Sequence, residues 1–373
     1  MEAEQIDDLH EDHALERTLT DEELDDLVAV DETPVSVTYT TQDFDVAGLV
    51  TRLQRESMLV PQFGGTDERI STAGFQRGFV WTKAQMDRFI ESLLLGYPVP
   101  GIFLIKQTDN RMLVLDGQQR LVTLRRFHDG VHAGKEFVLT NVGDDFKGLS
   151  YKTLNESLRF KLDDSFLQAT IVVADGSAGV DSAIYQIFER LNSGGTQLTP
   201  HEIRVALYAG PLIGFLESLN KDENWRGLYG QKSARIRDQE LIMRILALHL
   251  KADSYTKPLK GFLNTFAAEN RQTPQNVATS GKLFQSACKV LLSEVGPSAL
   301  RRPGGKTPNV AQSEAILVGM MRAIETGRLS DKTKERVEQL KNNAEFVAAT
   351  TRFTADKDST QLRLSLATEA FTA

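Results

Sequence analysis

The chain has 373 residues, of which 41% are apolar and 25% charged, so it is long enough to form two domains with substantial cores. No run approaches the about 18 consecutive apolar residues of a membrane span, and the acidic amino terminus lacks the features of a secretory signal. We therefore expect a cytoplasmic protein with no membrane partner. Redox chemistry is excluded as well, because the apolar helical pattern around the single cysteine, Cys288, predicts a buried, inert thiol.

The net charge of −8 is distributed unevenly along the chain. Residues 1–32 hold 14 acidic residues and one basic residue, whereas the part from His201 onward holds 25 basic and 18 acidic residues. A segment so acidic and so poor in aromatic residues cannot bury enough apolar surface to fold, so residues 1–40 are predicted to be a disordered tail. The basic excess of the carboxy-terminal half permits DNA binding.

The pattern that follows the tail predicts an α+β domain over residues 41–210. Residues 45–57 have helical periodicity, and a second helix begins at a Thr82–Gln85 capping box and ends at Gly96. Two apolar runs, GIFLIKQ and RMLVL, flank a polar turn and predict a β-hairpin. The strand that ends this hairpin leads directly into another helix, in the sequence VLDGQQRLVTL.

Strand patterns are absent after residue 211, so we expect an all-α domain over residues 211–373. The helical segments are RDQELIMRILALHLK, SGKLFQSACKVLLSEV, SEAILVGMMRAIETG and KERVEQLKNNAEFVAATTRF. The loop RPGGKTP in this half contains the last residues of a phosphate-binding Gly-Lys-Thr loop. The glycine that such a loop needs five positions before Gly305 is Leu300, and no strand precedes it, so we reject this interpretation.

The DGQQR segment predicts a phosphate site where a strand meets a helix. Asp116 is expected to end the strand and cap the helix, and Gly117 to permit a tight turn with close approach of the backbone. The amides of Gln118, Gln119 and Arg120 would then lie at the positive end of the helix, where phosphate is favoured. The alternative is an ordinary capped turn with solvated glutamines.

A second polar pair lies in the sequence FQRGFVW, just before the Thr82 capping box. Gln76 and Arg77 stand between aromatic residues that can anchor the segment in the core, so both polar side chains could point at a ligand. The alternative is a hydrogen-bonding pair on the surface. In either case the segment precedes the second helix of the domain and, like DGQQR, places glutamine next to arginine.

The third element is the sequence FERLNSGGTQLT, in which one helix ends and another begins. Glu189 and Asn192 provide the carboxylate and amide oxygens that Mg²⁺ prefers, with substrate phosphates completing its shell. Gly194 and Gly195 expose backbone amides, and Thr199 and Glu202 form a capping box around Pro200. The alternative is a well-capped corner between two helices.

These three segments, in this order and spacing, resemble the amino-terminal family of GmrSD-type restriction proteins. That family is similar to the ParB/sulfiredoxin-like fold, and the resemblance covers roughly residues 45–250. It implies that DGQQR stands where ParB-like nucleotidases carry a Gly-Glu-Arg-Arg box linked to nucleoside triphosphate binding and hydrolysis. The Glu189 corner resembles the ParB Glu-Asn box, although Arg190 stands where that box has asparagine.

The resemblance implies a nucleoside triphosphatase subunit of a prokaryotic defence system against foreign or modified DNA, with Mg²⁺ as cofactor. Gln118, Gln119 and Arg120 would bind phosphate. Asp116 would orient the attacking water, and Arg77 would stabilise charge on the transferred phosphoryl group.

Larger members of the family end in a His-Asn-His nuclease. The last histidine here is His249, so we expect either a nuclease partner or a cutting activity of another kind in this protein itself.

Two other functions fit the same residues. One is a nucleotide-gated DNA clamp that binds triphosphate without hydrolysing it, in which the nucleotide closes a dimer. The other is a protein-interaction subunit with a degenerate pocket, whose acidic tail mimics DNA. Nucleotide preference, the DNA feature that is read, the oligomeric state and the identity of the partner are left open.

Overall fold

The computed structural model describes residues 37–60, 81–107, 109–173, 183–187, 190, 199–233, 235–305 and 307–372. These residues divide into two compact units, one up to residue 190 and one from residue 199 onward. The first is an α+β unit and the second is helical, as predicted from the sequence.

The α+β unit contains seven strands and four α-helices with defined bounds in its described residues. In chain order these are β1 Tyr39–Asp45, α1 Val46–Gln54, β2 Met58–Leu59, α2 Lys83–Leu95, β3 Ile102–Lys106, β4 Met112–Asp116, α3 Gln118–Asp129, β5 Val131–His132, β6 Lys135–Glu136, α4 Glu156–Asp163 and β7 Phe166–Val173. Residues 183–187 are also helical.

The main sheet has the strand order β1-β7-β3-β4-β2. Strands β3 and β4 pair in antiparallel fashion, which confirms the predicted hairpin, and β7 runs parallel to β3. Alternate residues of these strands, such as Leu104 and Val114, are buried with Leu121 and Leu124 of α3 in one core. This packing fixes where α3 begins relative to the sheet.

Helix α2 begins and ends as its sequence predicts. Thr82 and Gln85 form the capping box, and Gly96 closes the helix in the left-handed conformation with φ of 81°. The apolar positions Met86, Ile90 and Leu93 are buried. The helix therefore uses its predicted apolar stripe to pack on the core.

Helix α2 also buries a carboxylate, that of Asp87. Its oxygens accept hydrogen bonds from Lys83 Nζ and, at 3.1 Å and 3.0 Å, from the backbone amides of Thr140 and Asn141. The Thr140 hydroxyl and the Asn141 side-chain amide donate to it as well. Burial raises the pKa of Asp87, but the hydrogen bonds from Lys83 and Asn141 outweigh this and hold the pKa below its usual value.

The helical unit contains ten α-helices within the residues that are described. They are α5 Pro200–Leu207, α6 Pro211–Asn220, α7 Glu223–Tyr229, α8 Arg237–Lys251, α9 Leu259–Glu269, α10 Gln275–Glu294, α11 Val310–Glu325, α12 Thr333–Asn342, α13 Ala344–Ala349 and α14 Lys357–Thr372. The predicted capping box at Thr199 and Glu202 starts α5, and RDQELIMRILALHLK forms α8. Cys288 is buried in α10, and burial raises the pKa of its thiol well above the ordinary value.

Two details of the helical unit differ from the sequence prediction. The compact unit that contains α6–α14 also contains α5, so it begins before residue 211. The segment 334–353, predicted as one helix, forms two helices instead. Asn343 ends the first and caps the second, because its side chain accepts the amide of Phe346 at 2.9 Å.

A network of buried charges joins α5 to α8. His201 Nδ1 lies 3.2 Å from Arg204 Nη1, and His201 Nε2 lies 3.3 Å from Gln239 Oε1. Since a guanidinium can only donate, Nδ1 is the acceptor and Nε2 carries the proton. Burial lowers the pKa of His201 to about 3, against the attraction of Glu240. His201 is therefore neutral at physiological pH.

Across the described residues, no helix is long and apolar enough to cross a membrane.

Candidate functional site

The junction between β4 and α3 places the DGQQR residues in a narrow turn. Gly117 is the N-cap of α3 and has a φ of 93°, which favours glycine. A Cβ atom at this position would lie 2.4 Å from Ile102 Cγ2 of the neighbouring strand. The backbone therefore approaches the sheet too closely for any side chain, and the predicted role of Gly117 in a tight turn is confirmed.

The prediction that Asp116 caps α3 is wrong. Gly117 occupies the N-cap position, and no side chain of the described residues caps α3. Asp116 is the last residue of β4, and its Oδ2 accepts a hydrogen bond from Arg120 Nη2 at 2.8 Å. About half of the Asp116 side chain is exposed, 49% by area. The carboxylate therefore bonds Arg120, one helical turn further along the chain, and not the first amides of α3. The rest of the carboxylate is exposed to solvent.

The Arg120 side chain is buried and bonded inside the protein. Its Nη1 donates to the backbone carbonyls of Pro100 and, at 2.6 Å, of Gly101, while its Nη2 holds Asp116. Only 11% of the side chain is exposed. These contacts give Arg120 a positioning role: it ties the chain before β3 to the end of β4 and fixes the orientation of the Asp116 carboxylate.

The two glutamines of the segment have different surroundings. Gln119 Oε1 accepts the backbone amide of Trp81 at 3.2 Å, and the Trp81 ring packs edge-on against Phe89 with centroids 5.6 Å apart. The last residue of FQRGFVW therefore lies at the start of α3. Gln118 is half-buried, and its side-chain amide makes no hydrogen bond to any part of the chain that the structure describes. It can donate to a ligand at this helix end.

The electrostatics of the helix start favour an anion. Helix α3 is 12 residues long and has no acidic residue in its first turn, so its first amides and its dipole present partial positive charge. The half-exposed Asp116 carboxylate borders this region and can accept a proton or hold a water. No group of three or more His, Cys, Asp or Glu side chains suited to a metal occurs among the described residues.

The remaining predicted site residues lie outside the described residues of the chain. They are Gln76, Arg77, Glu189, Asn192, Gly194 and Gly195. Their roles in phosphate and Mg²⁺ binding stay predictions. The acidic tail of residues 1–32 also lies outside the described part.

Sequence reasoning missed the two residues whose carbonyls hold Arg120. Pro100 and Gly101 immediately precede β3, and a Cβ atom on Gly101 would lie 2.7 Å from the carbonyl oxygen of Gln168. The sequence signal was the run PVPG, where two prolines and a glycine precede an apolar strand. Such a run leaves carbonyls without ladder partners, which an arginine nearby can then bond.

Comparison with known proteins identifies a matching family. Residues 63–209 match the model of the GmrSD restriction endonuclease, N-terminal domain, and this range includes the β4–α3 junction. Curated protein sequences give no match. Among solved structures, the C2221 crystal form of a Pnob8-like ParB-N domain is similar at 12% identity, covering 90% of this chain and 97% of that one. The TM-score of 0.23 is too low to establish a common fold.

Proposed function

Because residues 63–209 match a GmrSD-type amino-terminal domain, we propose that the protein is a subunit of a prokaryotic restriction system that binds and hydrolyses a nucleoside triphosphate and acts against foreign or modified DNA. The observation that carries this proposal is the β4–α3 junction. There a glycine that tolerates no side chain, a glutamine amide without a partner in the described chain and a half-exposed, arginine-held carboxylate meet at a helix start.

In this proposal the triphosphate lies at the first turn of α3. The amides of that turn and the Gln118 side chain donate hydrogen bonds to phosphate oxygens. Asp116 orients the attacking water, since Arg120 fixes one of its oxygens and leaves the other side of the carboxylate open. Arg77, four residues before Trp81 in the sequence, stabilises the charge that develops on the transferred phosphoryl group.

Mg²⁺ fits the same proposal through oxygen ligands. Glu189 and Asn192 have the required ligand types, and the phosphates of the substrate complete the shell. When bound, the ion supplies positive charge against the phosphate oxygens.

DNA is the proposed partner of the helical half, where basic residues outnumber acidic ones by seven. We assign DNA cleavage to a nuclease partner, since restriction needs a cutting activity in addition to the proposed triphosphatase. The triphosphatase would then act as the sensor, and the partner as the cutting subunit.

The test is phosphate release from ATP, GTP, CTP and UTP with Mg²⁺, with and without DNA. Asp116→Asn should lower turnover by about 10²–10⁴-fold if the carboxylate acts on the attacking water. The matched control is Asp109→Asn. Asp109 is 45% exposed and pairs with Arg111 at 2.6 Å, at the opposite end of the same hairpin.

Each outcome of this test distinguishes between functions. Loss of turnover in Asp116→Asn alone supports the assignment, and equal turnover in both variants refutes it. Arg77→Ala should lower kcat more than it weakens nucleotide binding. A wild-type protein that binds triphosphate and retains DNA but releases no phosphate would instead be the clamp.

A further inference from the structure

A cavity of about 370 Å³ opens in the helical unit beside the first turn of α11. Its walls include Arg302, Asn309, Glu314, Thr351 and Thr354. The volume falls within the about 300–1,000 Å³ of small-molecule sites and suits a mononucleotide better than a single phosphate. It belongs to a part of the chain that the triphosphate site does not use.

The wall of this cavity presents hydrogen-bond donors. Arg302 Nη2 donates to the Thr350 carbonyl at 2.6 Å and to Thr351 Oγ1 at 3.0 Å, which holds the guanidinium in place. Its Nε and Nη1 have no acceptor within the described residues. Asn309 Oδ1 accepts the backbone amide of Gln312 at 2.9 Å, and its NH₂ group has no acceptor within the described residues. A ligand with several acceptor oxygens fits such a wall.

The charge of the wall is positive in spite of one carboxylate. Glu314 is only 3% exposed, and its Oε2 accepts from Arg363 Nη2 at 2.7 Å while its Oε1 lies 3.5 Å from Arg244 Nη1. Arg363 therefore balances the charge of Glu314, whereas Arg244 also pairs with the buried Glu240 at 3.0 Å and adds no surplus charge. Arg302 lines the cavity and has no carboxylate within ion-pair distance among the described residues, so its guanidinium makes the wall positive. Arg363 is itself 4% exposed, and its Nε has no hydrogen-bond partner in the described part of the chain. The surplus charge favours an anion.

An exposed aromatic residue lies in the turn that borders the cavity. Phe353, between Thr351 and Thr354, is 76% exposed and has a φ of 51°, a left-handed conformation that disfavours a bulky side chain. Hydrophobic burial does not explain a phenylalanine here. Unpaired bases stack on exposed aromatic rings that lie beside a positively charged surface.

We propose that this cavity binds an unpaired nucleotide of a DNA strand, with its phosphate on Arg302 and Asn309 and its base stacked on Phe353. The proposal rests on DNA as the partner in the proposed function but does not depend on triphosphate turnover. Duplex DNA would occupy the donors through its backbone, but it cannot present a base to Phe353 because its bases are stacked in pairs.

The experiment is a titration of the full chain with fluorescein-labelled single-stranded dT₂₀, followed by anisotropy in buffer without triphosphate. Arg302→Gln should weaken binding by about tenfold or more and lower the salt slope by about 0.7, because one phosphate contact is lost. Arg328→Gln is the matched control. It removes the same charge from an exposed residue just beyond the opposite end of α11, and should leave affinity within about twofold.

Phe353→Gly distinguishes a loss of DNA binding from a loss of folding stability. Glycine suits the left-handed backbone and the phenyl ring is exposed, so the variant should melt no lower than the wild type. Affinity for dT₂₀ should nevertheless fall by about fivefold or more. Binding of a 20-bp duplex should be weaker and unchanged by this substitution.

Three results would overturn the proposal. They are dT₂₀ affinity that neither Arg302→Gln nor Phe353→Gly alters, an equal loss in Arg328→Gln, and a duplex whose binding falls as much as that of dT₂₀ in Phe353→Gly. Because no triphosphate is present, a protein without turnover would count against the proposed function and leave this titration valid. An unaltered dT₂₀ affinity would count only against the cavity.

Discussion

Arg120 and Asp116 form an ion pair across the boundary between β4 and α3, with 2.8 Å between Nη2 and Oδ2. The two side chains differ in exposure, since the guanidinium is buried and the carboxylate is half exposed. The same guanidinium bonds two backbone carbonyls. Substitutions at the two positions should therefore differ in their effect on the free energy of unfolding.

Arg120→Ala should destabilise the α+β unit by about 3 kcal/mol, because the carbonyls of Pro100 and Gly101 lose their donor inside the protein. Asp116→Asn should cost less than about 1 kcal/mol, since its pair is half exposed. Scanning calorimetry of the full chain measures both. Equal transition temperatures for the two variants would contradict the positioning role of Arg120.

Gly117→Ala should destabilise the protein by about 2–4 kcal/mol, because a left-handed backbone and a Cβ atom 2.4 Å from Ile102 add their costs. The matched control is Gly148→Ala. Gly148 has a φ of 85°, but a Cβ atom added there would meet no heavy atom of the described residues within 4 Å, so only the backbone cost of about 1 kcal/mol remains. Urea midpoints of the two variants should differ, and coincident midpoints would remove the steric explanation.

Asp87→Asn should cost about 3 kcal/mol at pH 7, because a buried acceptor of five donors loses its charge. The pKa of Asp87 is lowered in the folded state, so its stabilisation is present above the unfolded value of about 3.9 and is lost as pH falls below it. The difference between the urea midpoints of variant and wild type should shrink from pH 7 to pH 3. A constant difference would show that packing alone is affected.

His201→Gln should flatten the acid side of the stability profile. The folded protein keeps His201 neutral with a pKa of about 3, whereas the unfolded chain binds a proton below about pH 6.5. Stability therefore falls as pH decreases through this window, and His201 should contribute about 2 kcal/mol of loss between pH 7 and pH 5. Urea unfolding of both proteins at these pH values tests this. Equal losses would mean that His201 does not remain neutral.

Much of the fold could be predicted from local signals. The α+β class, the hairpin, the Thr82 and Thr199 capping boxes and helix α8 are confirmed, because each depends on turn chemistry or periodicity within a short segment. The start of the helical unit and the break at Asn343 could not be predicted in the same way. They depend on which neighbours bury a helix, and that is a property of tertiary contacts.

In the candidate site, the tight turn at Gly117 could be predicted from the sequence, but the directions of the neighbouring side chains could not. Gly117 marked the tight turn, because only glycine combines a left-handed backbone with close approach. The direction of the Asp116 and Arg120 side chains was not readable, since the carbonyls that hold Arg120 come from residues about twenty positions earlier in the chain. Sequence spacing gives no sign of such a contact.

The buried carboxylate of Asp87 should also slow hydrogen exchange at the two backbone amides that it accepts. The amides of Thr140 and Asn141 lie in an irregular segment, where exchange of backbone hydrogen with solvent deuterium is ordinarily fast. Both amides donate to a carboxylate oxygen of α2 that is buried from water, so they can exchange only when their hydrogen bonds to Asp87 break. Two loop amides would then exchange more slowly than their neighbours, and their rate would report how often this segment separates from α2.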